Sequence, residues 1–141
     1  MHKRRAYLED LRTKLKTLTG FGGVWIQRIG PSRTMFPSIT LYADQETVET
    51  ETIHAPNRPQ DRVLTISINA WIRGTADDEK AESDMDDAAV SIEGIITKPT
   101  GTDDIILVST DFNISEEEPE IHVITLTYKL QYQSTELSPA A

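Results

Sequence analysis

The chain contains no cysteine among its 141 residues. Disulfides, thiolate metal sites and cysteine nucleophiles are therefore excluded. The absence fits a reducing compartment, or a particle assembled in one. Histidine, the usual acid–base group near neutral pH, occurs only three times. His2, His54 and His122 lie far apart in sequence, none beside a plausible nucleophile. We therefore expect no catalytic site, no enzyme activity and no cofactor.

Long apolar runs are also missing. No stretch approaches the roughly 20 residues that cross a membrane. The basic start at residues 1–5 precedes an amphipathic segment rather than a signal-peptide core. We expect a soluble protein with no export signal and no membrane partner. Hydrophobic residues make up 38% of the chain, below the roughly 45–50% of average domains, a count that includes glycine. This predicts one domain with a thin core, its burial completed by neighbouring subunits.

Charge is divided unevenly along the chain. Residues 1–33 hold eight Lys/Arg and two Asp/Glu, whereas residues 34–141 hold six and twenty-one, for a net charge of −9. An acidic body disfavours wrapping on nucleic acid, because Lys/Arg contacts with phosphate supply most of that affinity. One interpretation is a well-solvated acidic protein with a basic first helix. The other is a two-faced subunit whose basic segment docks on an acidic surface.

Hydrophobic spacing predicts an amphipathic helix over 4–18, ended by the glycines of 20–23. A short strand over 24–29 follows. The apolar positions of the helix recur at steps of three and four: Tyr7, Leu8, Leu11, Leu15 and Leu18.

Alternating residues then predict strands over 38–43, 45–53 and 63–73, the last two forming a long hairpin. Residues 54–60 are predicted to form the loop of this hairpin, because they include two prolines, which cannot donate a backbone hydrogen bond to a sheet.

A second helix is predicted to begin after the N-cap Thr75 and to end near 97–99. Strands over 105–114 and 120–133 close the domain. The buried stripe of the helix is Ala81, Met85, Ala88, Ala89, Ile92 and Ile96. We expect one α+β domain over 1–133, with a mainly antiparallel (mixed) sheet, two helices packed on one face and a protruding hairpin. Residues 134–141 are predicted to form a disordered tail.

Three motifs give only weak signals for a binding site. A calcium-binding loop starting at Asp84 would need glycine and glutamate at the positions where Ala89 and Ile95 stand. A solvated helix face is therefore favoured, and weak divalent-cation binding at a subunit seam is the alternative. The glycines of 20–23 follow a helix rather than a strand, which argues against nucleotide binding. Trp25 and Trp71 are predicted to be core or sheet-face residues; an exposed tryptophan at a subunit contact is the alternative. No metal ligands are assigned.

The basic face of the first helix has two candidate partners. DNA is one, although no aromatic residue is interleaved and no helix-turn-helix follows. An acidic protein surface is the other.

The layout resembles a known family over residues 4–133. The resemblance rests on the amphipathic first helix, Phe36-Pro-Ser-Ile-Thr-Leu-Tyr42, the acidic Thr/Glu strand, the alternating segment 64–72, the acid-started helix and the closing segment 124–132. These features are similar to those of the tail terminator proteins of long-tailed bacteriophages (siphoviruses), the minor tail protein U type. The longer basic start and the strand at 24–29 depart from that pattern.

The resemblance implies a structural virion protein. It would form a homo-oligomeric ring, typically a hexamer, at the head-proximal end of the tail, after assembly in the host cytoplasm. The ring would cap the tube of tail tube protein, end its polymerisation and meet the head-side connector protein, while DNA passes through the lumen without specific binding. The loop 54–60 would contact the tube or a neighbouring subunit. The partner-interface residues predicted from this and from the basic helix are Arg4, Arg5, Arg12, Lys16, His54, Asn57, Arg58 and Arg62.

Other functions remain as alternatives. A head–tail connector or neck completion protein shares the small α+β plan. A small hydrolase or nucleotide-handling enzyme would use Asp/Glu clusters and His122. An unrelated binding module is the last alternative.

Overall fold

A computed structural model of the chain describes residues 3–27, 37–50, 59–73, 78–96, 104–115 and 121–135. The elements in chain order are α1 (Lys3–Leu15), β1 (Val24–Ile26), β2 (Ser38–Thr50), β3 (Pro59–Arg73), α2 (Asp78–Ile96), β4 (Asp104–Ser115) and β5 (Ile121–Thr135). Within these ranges the strands form one sheet in the order β1-β2-β3-β5-β4. β1 is parallel to β2, and all other neighbours are antiparallel. The predicted α+β class with a mixed sheet is confirmed.

The second and third predicted strands are one strand, which corrects the prediction of a break after Ala43. The register moves from Ala43 opposite Ile66 to Gln45 opposite Thr65, so Asp44 is the extra residue of a β-bulge. The sequence could not distinguish a bulge from a turn, because both interrupt the two-residue alternation. The bulge brings Glu46 opposite Leu64, on the same face of the sheet as Ala43.

The hairpin strands extend further than predicted. β3 begins at Pro59, inside the predicted loop, since a proline is tolerated at the first position of a strand. β5 continues to Thr135, which pairs with Pro59, so the first two residues of the predicted tail belong to the sheet. Residues 51–58 and 136–141 lie outside the described residues. The protruding tip of the hairpin and the disordered tail therefore stay predictions.

The helix boundaries follow the expected signals. α1 ends at Leu15, three residues before the predicted end at 18. The intervening residues continue in turns: the amide of Lys16 donates to the carbonyl of Arg12, and that of Leu18 to the carbonyl of Leu15. Gly20 has a φ of 93°, a left-handed conformation that glycine adopts without steric cost. α2 ends at Ile96 as predicted. Its predicted N-cap, Thr75, lies outside the described residues.

One face of the sheet is the apolar face, and both helices lie on it. Its strands contribute alternating side chains that pair in register, such as Leu41, Ile68 and Leu126, all with no exposed surface. α1 contacts mainly β1 and β2, α2 contacts mainly β3 and β5, and the helices contact each other. The described part of the predicted α2 stripe is buried in this core: Met85, Ala88, Ala89, Ile92 and Ile96. Each fully buried Leu or Ile contributes about 1.5–3 kcal/mol of transfer free energy.

The second face of the sheet is polar yet partly buried. Trp71 donates its indole N–H to the Thr40 hydroxyl at 2.8 Å, and Thr125 donates to the Asn69 side-chain oxygen at 2.6 Å. Trp25 is in register with Thr40 and is half-buried. Both tryptophans are therefore sheet-face residues, as predicted.

Candidate assembly surfaces

The described residues contain no cluster of three or more His, Asp or Glu side chains placed to hold a metal ion. His122 is 2% exposed and lies at the start of β5, where its backbone neighbours in the sheet are Ile72 and Ile114. His2 and His54 lie outside the described residues.

The basic side chains of α1 form ion pairs along the helix. Glu9 binds Arg5 at 3.0 Å and Arg12 at 2.7 Å, while Lys14 binds Asp10 at 3.3 Å. Such exposed pairs stabilise a helix only slightly, because water screens them and ordering the side chains costs entropy. Lys16, one residue beyond α1, is exposed.

Arg5, Arg12 and Lys16 therefore share one flank of α1, seven and then four residues apart. Arg4 belongs to α1 by its backbone, but its side chain lies outside the described part of the chain. His54, Asn57 and Arg58, predicted for the same partner surface, also lie outside it.

Arg62 belongs to an internal charged cluster with Glu46, Tyr132 and Tyr7. Its guanidinium binds the Glu46 carboxylate at 3.1 Å, and these side chains are only 19% and 9% exposed. The Tyr132 hydroxyl donates to the other Glu46 oxygen. The rings of Tyr7 and Tyr132 contact each other, with centroids 5.2 Å apart and planes inclined at 50°. Arg62 was predicted as a partner-interface residue; the structure gives its charge a partner inside the chain.

Sequence reasoning missed this cluster, which we call the Glu46 cluster. Glu46 and Arg62 are adjacent only because the bulge at Asp44 shifts the register by one residue. Without the bulge, the two-residue period would turn Glu46 to the other face. The available signal was a pair of opposite charges, Glu46 and Arg62, on the two strands of the predicted hairpin. Which residues of these strands lie side by side could not be predicted without knowing of the bulge.

Burial and Glu46 together raise the pKa of Tyr132. Desolvation is the largest cause, the hydrogen bond and charge of Glu46 add to it, Arg62 opposes it, and the pKa reaches about 12. The pKa of Tyr128 is raised further by desolvation, with a smaller contribution from the negative charge of Glu93. Glu93, near the end of α2, therefore lies close to the middle of β5.

The most exposed apolar side chains among the described strands lie on the edge strand β4. Ile106, Val108 and Phe112 are 61%, 49% and 55% exposed. Ile105 and Leu107 at the start of β4 pack against the core, but Phe112 lies beyond it. Phe112 is in register with the buried Ile124, so it projects on the apolar face that the helices cover elsewhere. An apolar edge strand of this kind readily pairs with another chain.

The other edge of the described sheet is formed by β1 and the end of β2. β1 pairs with β2 at Ile39, Thr40 and Leu41, and the amide of Gln27 donates to the Leu41 carbonyl. Val48, near the far end of β2, is 45% exposed.

Comparison with known proteins gives no assignment. The chain matches no family model and shows no significant match to a curated protein. No helix in the described part of the chain has the length and apolar character needed to span a membrane.

Proposed function

We propose that this chain is a structural subunit that forms a ring capping the tail tube of a long-tailed bacteriophage. The ring ends tube polymerisation and offers the surface to which the head is joined. The observation that carries the proposal is the open sheet edge at β4, with three apolar side chains about half exposed or more. The resemblance over residues 4–133 to tail terminator proteins supports it.

An exposed apolar edge strand is a hazard for a protein that acts alone, because it pairs with any available chain. Soluble proteins protect such edges with charge, proline, bulges or a covering element. In β4 the bulge between Leu107 and Ser109 gives only local protection. A closed ring protects the edge more fully, since each copy covers the surface of the next and no open end remains.

The charge of the chain also suits a ring through which DNA passes. Its net charge is −9. Phosphate binding depends on Lys and Arg, so an acidic lumen lets DNA slide without being held. Asp87, exposed on α2, supplies part of this charge.

The decisive experiment removes the protein from a phage that depends on it. Tails assembled without it are expected to grow beyond their normal length and to join heads poorly. Adding purified protein to growing tails is expected to restore uniform length. Normal tail lengths and normal head joining in the deletion phage would contradict the proposal.

A second measurement separates the tail terminator from a neck protein. A terminator is expected to co-purify with isolated tails before heads are attached, at several copies per tail. A neck completion protein would instead co-purify with DNA-filled heads. Recovery from heads alone would favour the neck function.

A further inference from the structure

The two described helices leave part of the apolar face of the sheet exposed. α1 covers β1 and β2, and α2 covers β3 and β5. Phe112, in the second half of the edge strand β4, projects on the apolar face and is 55% exposed. Among the described residues, the apolar face beside α2 at Phe112 is thus an uncovered position.

The flank of α2 that borders this position is acidic. α2 connects the parallel strands β3 and β4, and the right-handed crossover of such a unit turns the side of α2 that carries Glu93 toward β4 and away from α1. The effect of the Glu93 charge on Tyr128 of β5, the strand next to β4, agrees with this. The 3.6-residue period places Glu82 and Asp86 on the same flank as Glu93. Both are exposed, and Glu93 is half-buried. Val90, 68% exposed, lies beside them.

The outer flank of α1 is basic. Tyr7 contacts Tyr132 of β5 and so marks the side of α1 that faces α2. The helical period places Arg5, Arg12 and Lys16 on the opposite side, toward the β1 edge of the molecule. Glu9 lies among them and pairs with Arg5 and Arg12, so three basic side chains and one acidic side chain leave this flank net positive. The basic flank and the acidic flank therefore lie on opposite lateral sides of one copy.

The two flanks match in spacing. Arg5, Arg12 and Lys16 follow one another at steps of seven and four residues. Read backwards, Glu93, Asp86 and Glu82 follow at the same steps. Eleven residues of helix span about 16 Å in both cases. Antiparallel helices side by side would place Arg5 opposite Glu93, Arg12 opposite Asp86 and Lys16 opposite Glu82.

The direction of the helices also agrees. α1 has its first half beside Tyr132, toward the end of β5. α2 follows β3, which ends beside the start of β5, and precedes β4, which begins beside Gln131 near the end of β5, so α2 runs toward that same end of the sheet. The two helices thus run antiparallel within one copy. A second copy in the same orientation would offer its α1 antiparallel to this α2.

We propose that the β1 side of a second copy lies along the β4 side of this copy, so that the basic flank of its α1 faces the acidic flank of α2 across the Phe112 half of β4. This contact rests on the proposed function, because it is the one that joins successive copies in the ring. It is head-to-tail: each copy gives α1 to one neighbour and β4 with α2 to the other, so repetition closes a ring. Charge complementarity fixes the register of the copies, and burial of Phe112 and Val90 adds apolar area.

Charge reversal tests the contact directly. Arg12→Glu and Asp86→Arg are each expected to weaken association between copies about tenfold or more, because like charges then face each other. The double variant is expected to recover most of the lost affinity. Asp87→Arg is the matched control: Asp87 is also exposed but lies about 100° around α2 from Asp86, away from the acidic flank, so association should be nearly unchanged. Sedimentation of the full chain at low salt measures the affinities, and circular dichroism checks that each variant folds.

Cross-linking gives a second, independent readout, since the chain has no cysteine of its own. The double variant Arg12→Cys with Asp86→Cys is expected, on oxidation, to give a ladder of linked copies that ends at the closed ring. Only closely apposed residues form a disulfide. A disulfide within one chain would overturn the inference, because the flanks would then face each other inside a copy.

The remaining outcomes separate this contact from the proposed function. Rings that form and cap tails regardless of either reversal would overturn the contact and leave the function standing. Salt-dependent association that responds to the reversals, in a protein whose deletion leaves tails normal, would support the contact and overturn the function. Monomers at every concentration and salt, or reversals that change only DNA retention, would overturn the contact.

Discussion

Tyr128 and Tyr132 project from the same face of β5, four residues apart, yet their hydroxyls have different surroundings. The Tyr132 hydroxyl donates to Glu46. The Tyr128 hydroxyl is fully buried and has no hydrogen-bond partner among the described residues. A buried hydroxyl without a partner costs free energy, whereas a satisfied one contributes a little.

Replacing each tyrosine by phenylalanine should therefore change stability in opposite directions. Tyr128→Phe is expected to raise the free energy of unfolding by about 1 kcal/mol, since it removes an unsatisfied group of the same shape. Tyr132→Phe is expected to lower it by about 1–2 kcal/mol, because Glu46 loses a donor in a largely buried site. Urea unfolding of both variants measures the difference. Destabilisation by Tyr128→Phe as large as that by Tyr132→Phe would contradict the assignment.

The raised pKa of Tyr132 predicts a loss of stability in alkali. Its pKa is 10.0 in an unfolded chain and about 12 in the fold, so the folded state keeps a proton that the unfolded state releases. This contribution, about 2–3 kcal/mol, is complete below the unfolded pKa and is lost as the pH rises to the folded pKa. Unfolding measured through that window should show a shallower loss for Tyr132→Phe than for the parent. Tyr128, whose pKa is shifted in the same direction, contributes equally to the pH dependence of both proteins. Equal loss of stability with pH in the parent and in Tyr132→Phe would contradict the prediction.

At the scale of elements, two glycines offer a matched pair of substitutions. Gly94 lies in α2, and an added Cβ would meet no atom within 4 Å. Gly20 has equal space but a φ of +93°. Helical glycine is less favourable than alanine by about 0.5–1 kcal/mol. Gly94→Ala should therefore stabilise by about that amount and Gly20→Ala should destabilise by a similar amount, as thermal unfolding would measure. Stabilisation by both would mean that the turn after α1 does not need its left-handed residue.

The elements were largely readable from sequence, because each has a periodic apolar pattern. α2 shows this best: the side chains predicted to form its buried stripe are buried together wherever the structure describes them. The strand order was not readable, since nothing local indicates that β5 inserts between β3 and β4. The open edge at β4 could therefore not be predicted. The bulge at Asp44 hid both the continuity of β2 and the Glu46 cluster that depends on it.

At the scale of the whole molecule, apparent stability should depend on protein concentration. If copies cover one another at β4, assembly binds only the folded state and shifts unfolding by mass action. The midpoint of thermal unfolding is expected to rise with concentration in the parent chain. It should rise less in Phe112→Asp, since Phe112 is 55% exposed in the single chain and its replacement leaves the fold intact. A midpoint independent of concentration in both would contradict assembly through this edge.

The Glu46 cluster joins parts of the chain that are distant in sequence. Tyr7 reaches from the first turns of α1 to Tyr132, and Tyr132 reaches through Glu46 to Arg62 on the neighbouring hairpin strand. These contacts link the amino-terminal helix to the far half of the β2–β3 hairpin within one chain. Loss of any one of them is therefore expected to loosen both the helix and the end of the sheet.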